Sequence, residues 1–162
     1  MSCSLIVRQA PAAQAPLLSR LRFEAILAAP GDLTDLQRQL WLDLDPWHAP
    51  QEADTSLAAW EGHHLVGAAL CRDERLLALY VAPQRWRRNI GTALLRAAEA
   101  RTRAGGGRHM RLVTLPSALG FYRRHGYQGG HEPQLQWFST PGAGRPVALP
   151  GVSVWRALEP PP

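Results

Sequence analysis

The residues best placed to do chemistry lie in Leu79–Leu95, LYVAPQRWRRNIGTALL. There an apolar run stops at a proline, a cationic loop follows, and a helical pattern begins near Asn89 or Ile90. The first amides of a helix have no partner within it and sit at the positive end of its dipole, so this junction favours an anion. Gly91 lets a phosphate come close to the backbone, Thr92 adds a hydroxyl donor, and Asn89 tolerates a left-handed twist. Arg87 and Arg88 supply charge. The same residues admit a plainer reading, in which Gly91 eases helix–strand packing and the arginines face water. No GxxxxGK and no GxGxxG occurs, which excludes a Walker loop and the dinucleotide fingerprint.

VAPQRWRRNIGTALL resembles the signature of the GNAT acetyltransferases, in which V-x-P leads to Q/R-x-x-G-x-G/A and then small-x-Leu-Leu. Val81, Pro83, Gly91, Leu94 and Leu95 match, while Trp86 stands at the usual Gln/Arg place and Asn89 at the first glycine. ALGFYRRHGY resembles the later family motif A-x-x-F-Y-x-x-x-G-F/Y at Ala118, Phe121, Tyr122, Gly126 and Tyr127. Leu115 stands where that family often has asparagine.

The resemblance implies one domain over residues 1–162 with acetyl-CoA as co-substrate. Leu79, Tyr80, Val81, Arg87, Arg88, Asn89, Ile90, Gly91 and Thr92 would hold it. The strand carrying Leu79–Val81 would splay from its neighbour, freeing backbone groups for the pantetheine arm and the thioester carbonyl. Tyr122 would be the general acid that protonates the departing thiolate; a tyrosine packed in the core with its hydroxyl hydrogen-bonded is the alternative. The expected reaction is N-acetylation of a primary amine, on a small molecule or a protein, by direct attack without a metal or a covalent enzyme intermediate. Two other readings stay open. Trp86 and Asn89 suit a degenerate acyl-CoA-binding module, and the arginine surplus suits an acetyltransferase acting on a tRNA- or ribosome-associated acceptor.

For the base that frees the amine, the candidates are Glu24, Asp43, Asp45, Glu74, His63 and His64, or a water chain; none lies in a motif and none is chosen. Trp41, Trp47 and Trp137 fall where the family builds its acceptor pocket, and aromatic walls suit an aromatic or aliphatic amine. Trp60 and Trp155 read as core. Asp43, Asp45, Glu52 and Asp54 lend the intervening loop a negative character that could draw a cationic amine, although solvated charge is the simpler account.

The bulk numbers fit this picture. The chain is 46% hydrophobic and 19% charged, enough for a folded core. Its net charge is +5 and every one of its 18 cationic residues is arginine, whose planar fork suits phosphate. Only Cys3 and Cys71 are present, without metal spacing, which points to a reducing cytoplasm. No apolar run reaches membrane length and no secretory signal opens the chain, so no membrane partner is expected. No nucleic-acid partner is expected either, since the cofactor's phosphates absorb part of the positive charge. The resemblance leaves room for a homodimer.

Periodicity places strands at Leu5–Arg8, Ser56–Trp60, His64–Cys71, Leu76–Val81, Arg111–Leu115, Tyr127–Phe138 and Val152–Leu158. Helices are predicted at Pro11–Ala29, Leu33–Trp41, Ile90–Ala104 and Ser117–His125. A break falls at Pro30-Gly31-Asp32, a loop over Asp45–Asp54, and a frayed tail at Pro160–Pro162. The expected fold class is mixed α/β (α+β): a GNAT-type twisted sheet, mostly antiparallel, with helices on both faces.

Overall fold

A computed structural model describes residues 3–29, 31–130, 132–140 and 143–160. Pro30 of the expected break and Pro161 and Pro162 of the expected tail lie outside the described residues.

Short runs of alternating apolar residues build the first half of the sheet. Strands β1 (Leu5–Gln9), β2 (Thr55–Glu61), β3 (His64–Arg72) and β4 (Arg75–Val81) pair antiparallel in sequence order. Tight turns at Gly62 and Asp73, both with positive φ, join the last three. Strands β5 (His109–Thr114), β6 (Gln134–Thr140) and β7 (Ala143–Ala157) complete the order β1-β2-β3-β4-β5-β7-β6. The β4–β5 contact is parallel, as a helix crossover between neighbouring strands requires.

Four helices cover the sheet: α1 (Ala15–Ala28), α2 (Asp35–Asp43), α3 (Ile90–Ala104) and α4 (Leu119–Arg124). Successive strand residues point to opposite faces, and the core divides accordingly. Leu57, Ala59, Val66 and Ala69 pack with Ile90, Leu94, Leu95 and Ala98 of α3. Ala58, Ala68, Leu70 and Ala78 pack with Leu18 and Leu21 of α1. Helices therefore lie on both faces. Gly67 sits directly beneath α3: a Cβ there would come within 2.7 Å of Leu94 and 2.9 Å of Ile90, so only glycine lets the first turn of α3 settle this low on β3.

Some boundaries differ from the sequence reading. The first helix begins with a 3-10 turn at Ala12–Gln14, and α1 proper starts at Ala15. Thr34 caps α2, through a reciprocal pair with Gln37. The strand expected over Tyr127–Phe138 starts only at Gln134, because Gly129 and Gly130 both take positive φ. The stretch between the last two expected strands is mostly strand as well. Residues from Ala143 to Gly151 of β7 pair with β6 on one side only, where a proline's missing N–H breaks no ladder, and Val152–Ala157 then turn to β5. Trp155, read as core, is 39% exposed; Val154 beside it takes the inward position.

Candidate active site

Two features of the backbone create the site. The first is a gap in the sheet. Strands β4 and β5 pair only at Arg75 and Arg111, then separate. The Ala82 amide donates to the Val66 carbonyl, which sets the antiparallel phase, so Tyr80 and Ala78 bond to β3 and the N–H and C=O groups of Leu79 and Val81 face the gap. A cleft of about 900 Å³ follows this edge, and every residue from Leu76 to Val81 lines it.

The second feature is the loop entering α3. Arg87 and Asn89 both take left-handed backbone conformations, at φ 63° and 62°, on either side of Arg88. Alternation of this kind curls successive amides toward one point, the geometry of an anion-binding nest. Asn89 is the N-cap of α3, and its side chain caps nothing. Among the described residues, no acceptor is present for the amides of residues 87–92. The left-handed Asn89 agrees with the sequence reading. The second left-handed residue, Arg87, carried no sequence signal.

Charge follows the backbone. Arg38, Arg85, Arg87 and Arg124 line the cleft, and no Asp or Glu does. Arg88 does not line it: its guanidinium lies 3.8 Å from Glu61, which also takes Arg85 at 2.9 Å. Gly91 and Thr92 both border the cleft. A Cβ on Gly91 would meet the Phe121 ring at 3.4 Å, within ordinary contact range. The Thr92 hydroxyl meets His125 Nε2 at 3.0 Å, and His125 Nδ1 lies 2.7 Å from the Phe121 carbonyl. That carbonyl can only accept, so the neutral ring carries its proton on Nδ1 and accepts from Thr92 at Nε2. Sequence reasoning missed His125; its place four residues after Phe121 on one helix face was the available clue.

Tyr122 lines the cleft from α4 and is buried among Phe121 and Tyr127, with ring centroids 5.0 and 5.6 Å away. No hydrogen bond to its hydroxyl is present among the described residues. Burial, with a smaller contribution from Tyr80, pushes the phenol well above its usual range and keeps it protonated. Trp86 is half-exposed, and its indole N–H donates to the Val81 carbonyl at 2.9 Å, taking one acceptor of the free strand edge.

The three pocket tryptophans part company. Trp41 stands edge-on to Phe138 at 4.9 Å and lines both this cleft and a second cavity of about 880 Å³. Trp137 lines only the second cavity and is 74% exposed. Trp47 lines neither; it is buried behind Tyr80, with its indole N–H on Ser56. None of the base candidates Glu24, Asp43, Asp45, Glu74, His63 and His64 lines either space. Asp45 caps the Trp47 amide, and Glu74 holds the amides of Arg108 and His109, which lowers its pKa.

Among the described residues, no helix is long and apolar enough to cross a membrane, and no group of three His, Cys, Asp or Glu is placed to hold a metal.

A family model described as the acetyltransferase (GNAT) family matches residues 21–127. No curated protein matches the chain. Among solved structures, a GCN5-related N-acetyltransferase from Rhodopseudomonas palustris superposes with a TM-score of 0.79 at 20% identity, over 98% of both chains. The PaiA N-acetyltransferase of Thermoplasma acidophilum, solved with coenzyme A, gives 0.68 at 17% identity over 95% of this chain and 99% of the other. YncA of Salmonella typhimurium, solved with acetyl-CoA, gives 0.64 at 17% identity over 96% and 94%. At these identities the likeness shows the fold.

Proposed function

This chain belongs to the acetyltransferase (GNAT) family, and from that premise we propose that it moves the acetyl group of acetyl-CoA to a primary amine by direct attack. One observation carries the proposal: the amides of residues 87–92, which have no acceptor among the described residues, lie in a loop with two left-handed residues that borders a cleft along the unpaired edge of β4. A diphosphate suits the amides, since they and the α3 dipole offer positive charge that the protein does not itself neutralise. The backbone groups of Leu79 and the Val81 amide suit an extended amide-bearing arm. The cofactor would bring the activated thioester. Coenzyme A in PaiA and acetyl-CoA in YncA support this choice of ligand.

In the reaction the neutral amine attacks the thioester carbonyl, the carbon–sulfur bond breaks, the nitrogen gives up a proton, and the thiolate gains one. Tyr122, protonated and without an internal partner, is the donor we assign to the developing thiolate. The amine's proton leaves through water, because among the described residues no carboxylate lines the cleft.

Titration calorimetry with acetyl-CoA tests the proposal. We expect saturable binding that is lost in Gly91→Glu, which sets a carboxylate beside the amides, while circular dichroism shows the variant folded. Binding that persists in Gly91→Glu, or no binding by the parent protein, would refute the assignment. The bond from Trp86 to Val81 favours a second reading, an acyl-CoA-binding module without turnover, because it occupies part of the strand edge. Acetylated product from any amine in a panel would exclude that reading.

A further inference from the structure

The second cavity names a class of acceptor. Leu76, Leu77, Tyr80, Leu112 and Val113 line both it and the cleft, so the two spaces meet at the gap between β4 and β5. Its walls combine aromatic surface from Trp41, Phe138 and Trp155 with cationic charge. Among the described residues, four arginines line it, Arg22, Arg72, Arg75 and Arg111, against one carboxylate, Asp54. That carboxylate is already engaged, at 2.7 Å from the Arg72 guanidinium with its side chain 4% exposed. The loop acids offer this cavity no free negative charge: Asp54 is paired with Arg72, and Asp43, Asp45 and Glu52 do not line the cavity.

Arg22 makes the bias acute. Its residue is 2% exposed, and it forms no ion pair among the described residues. Two guanidinium N–H groups reach the carbonyls of Trp41 and Leu42, its carbon stands over the rings of Trp41 and Tyr80 at 5.5 and 5.8 Å, and its Nε has no partner. A buried cation held only by carbonyls and ring faces leaves its charge uncompensated, and the low dielectric strengthens its pull on an incoming anion. Arg75 and Arg111, exposed at the point where the strands diverge, likewise form no ion pair among the described residues.

We propose that the acceptor is a small primary amine carrying a carboxylate on an apolar or aromatic body, with the anion held by the exposed Arg75 and Arg111 and drawn by the buried charge of Arg22. This rests on the transferase reading above and extends it to the substrate. The same charge assists the chemistry: arginines around the acceptor lower the pKa of its ammonium, so the neutral nucleophile forms without a carboxylate base.

A matched pair tests it: para-(aminomethyl)benzoate and its carboxamide, which share an aminomethyl nucleophile and differ in the anion. We expect kcat/KM for the benzoate to exceed that for the carboxamide by about tenfold at low salt, with the ratio shrinking as ionic strength rises. In Arg75→Gln and Arg111→Gln the ratio should fall by about two- to fivefold each, as befits exposed charges, with acetyl-CoA affinity unchanged. Equal or reversed preference overturns the inference. Calorimetry of the two N-acetylated products on CoA-loaded protein separates this from failure of the transferase reading. Tighter binding of the acetylated benzoate without any turnover upholds the anion site and removes the transferase activity. Turnover of other amines, with neither product bound or both bound equally, removes the anion site and leaves the transferase.

Discussion

Replacing Tyr122 with phenylalanine removes one oxygen and little else. The ring keeps its edge contacts with Phe121 and Tyr127, and the lost hydroxyl served no hydrogen bond among the described residues. Stability should hold, with Tm within about 2 °C of the parent, because no cavity opens and no partner is orphaned. Catalysis should not hold. A hydrogen bond to a developing thiolate is worth about 1.5–3 kcal/mol, and at about 1.4 kcal/mol per decade its loss lowers kcat by about ten- to a hundredfold. KM for acetyl-CoA should move by less than about twofold, since the interaction arises as the sulfur gains charge and not in the ground state. Because burial raises the phenol above its usual value of about 10, the parent's kcat should show no alkaline loss from this group up to that pH. The assay is initial-rate release of free thiol, with chromatographic detection of the acetylated amine. A folded variant whose kcat matches the parent within twofold refutes the role.

Two further outcomes follow from the packing. Gly67→Ala would drive a methyl into Leu94 and Ile90, so we expect a loss of about 1–3 kcal/mol in urea unfolding, together with a raised Kd for acetyl-CoA because the start of α3 shifts; an unchanged Kd in a destabilised variant would show that the phosphate loop is independent of this contact. Burial raises the Cys71 thiol from about 9 to about 12 while Cys3 is exposed, so a thiol reagent at pH 8 should label only Cys3 until the protein unfolds. The folded-state pKa of Cys71 lies above the unfolded one, so its contribution to stability is complete below pH 9 and declines at about 1.4 kcal/mol per pH unit as pH climbs from 9 toward 12. Cys71→Ala should flatten that decline in alkaline melts, and a slope identical to the parent's would contradict the assignment.

Local sequence determined what local physics controls. The helix at Ile90–Ala104 was readable to the residue, because Asn89 must twist left-handed before it and Gly105 ends it, both short-range backbone effects. The antiparallel meander was readable for the same reason, as was the left-handed turn at Asn89. Properties that depend on distant partners were not. Trp41, Trp47 and Trp137 look alike in sequence, and only the tertiary structure sends one to both spaces, one behind Tyr80 and one to an exposed wall. Asp54 adds negative charge to the loop in the sequence, and Arg72, 18 residues away, pairs with it in the fold. Arg22 reads as one more helical arginine, and its unpaired burial exists only because Trp41 and Tyr80 close over it. Charge compensation depends on spatial neighbours, so the strand-to-helix junction at residues 79–95 was legible in the chain and the charge of the second cavity only in the fold.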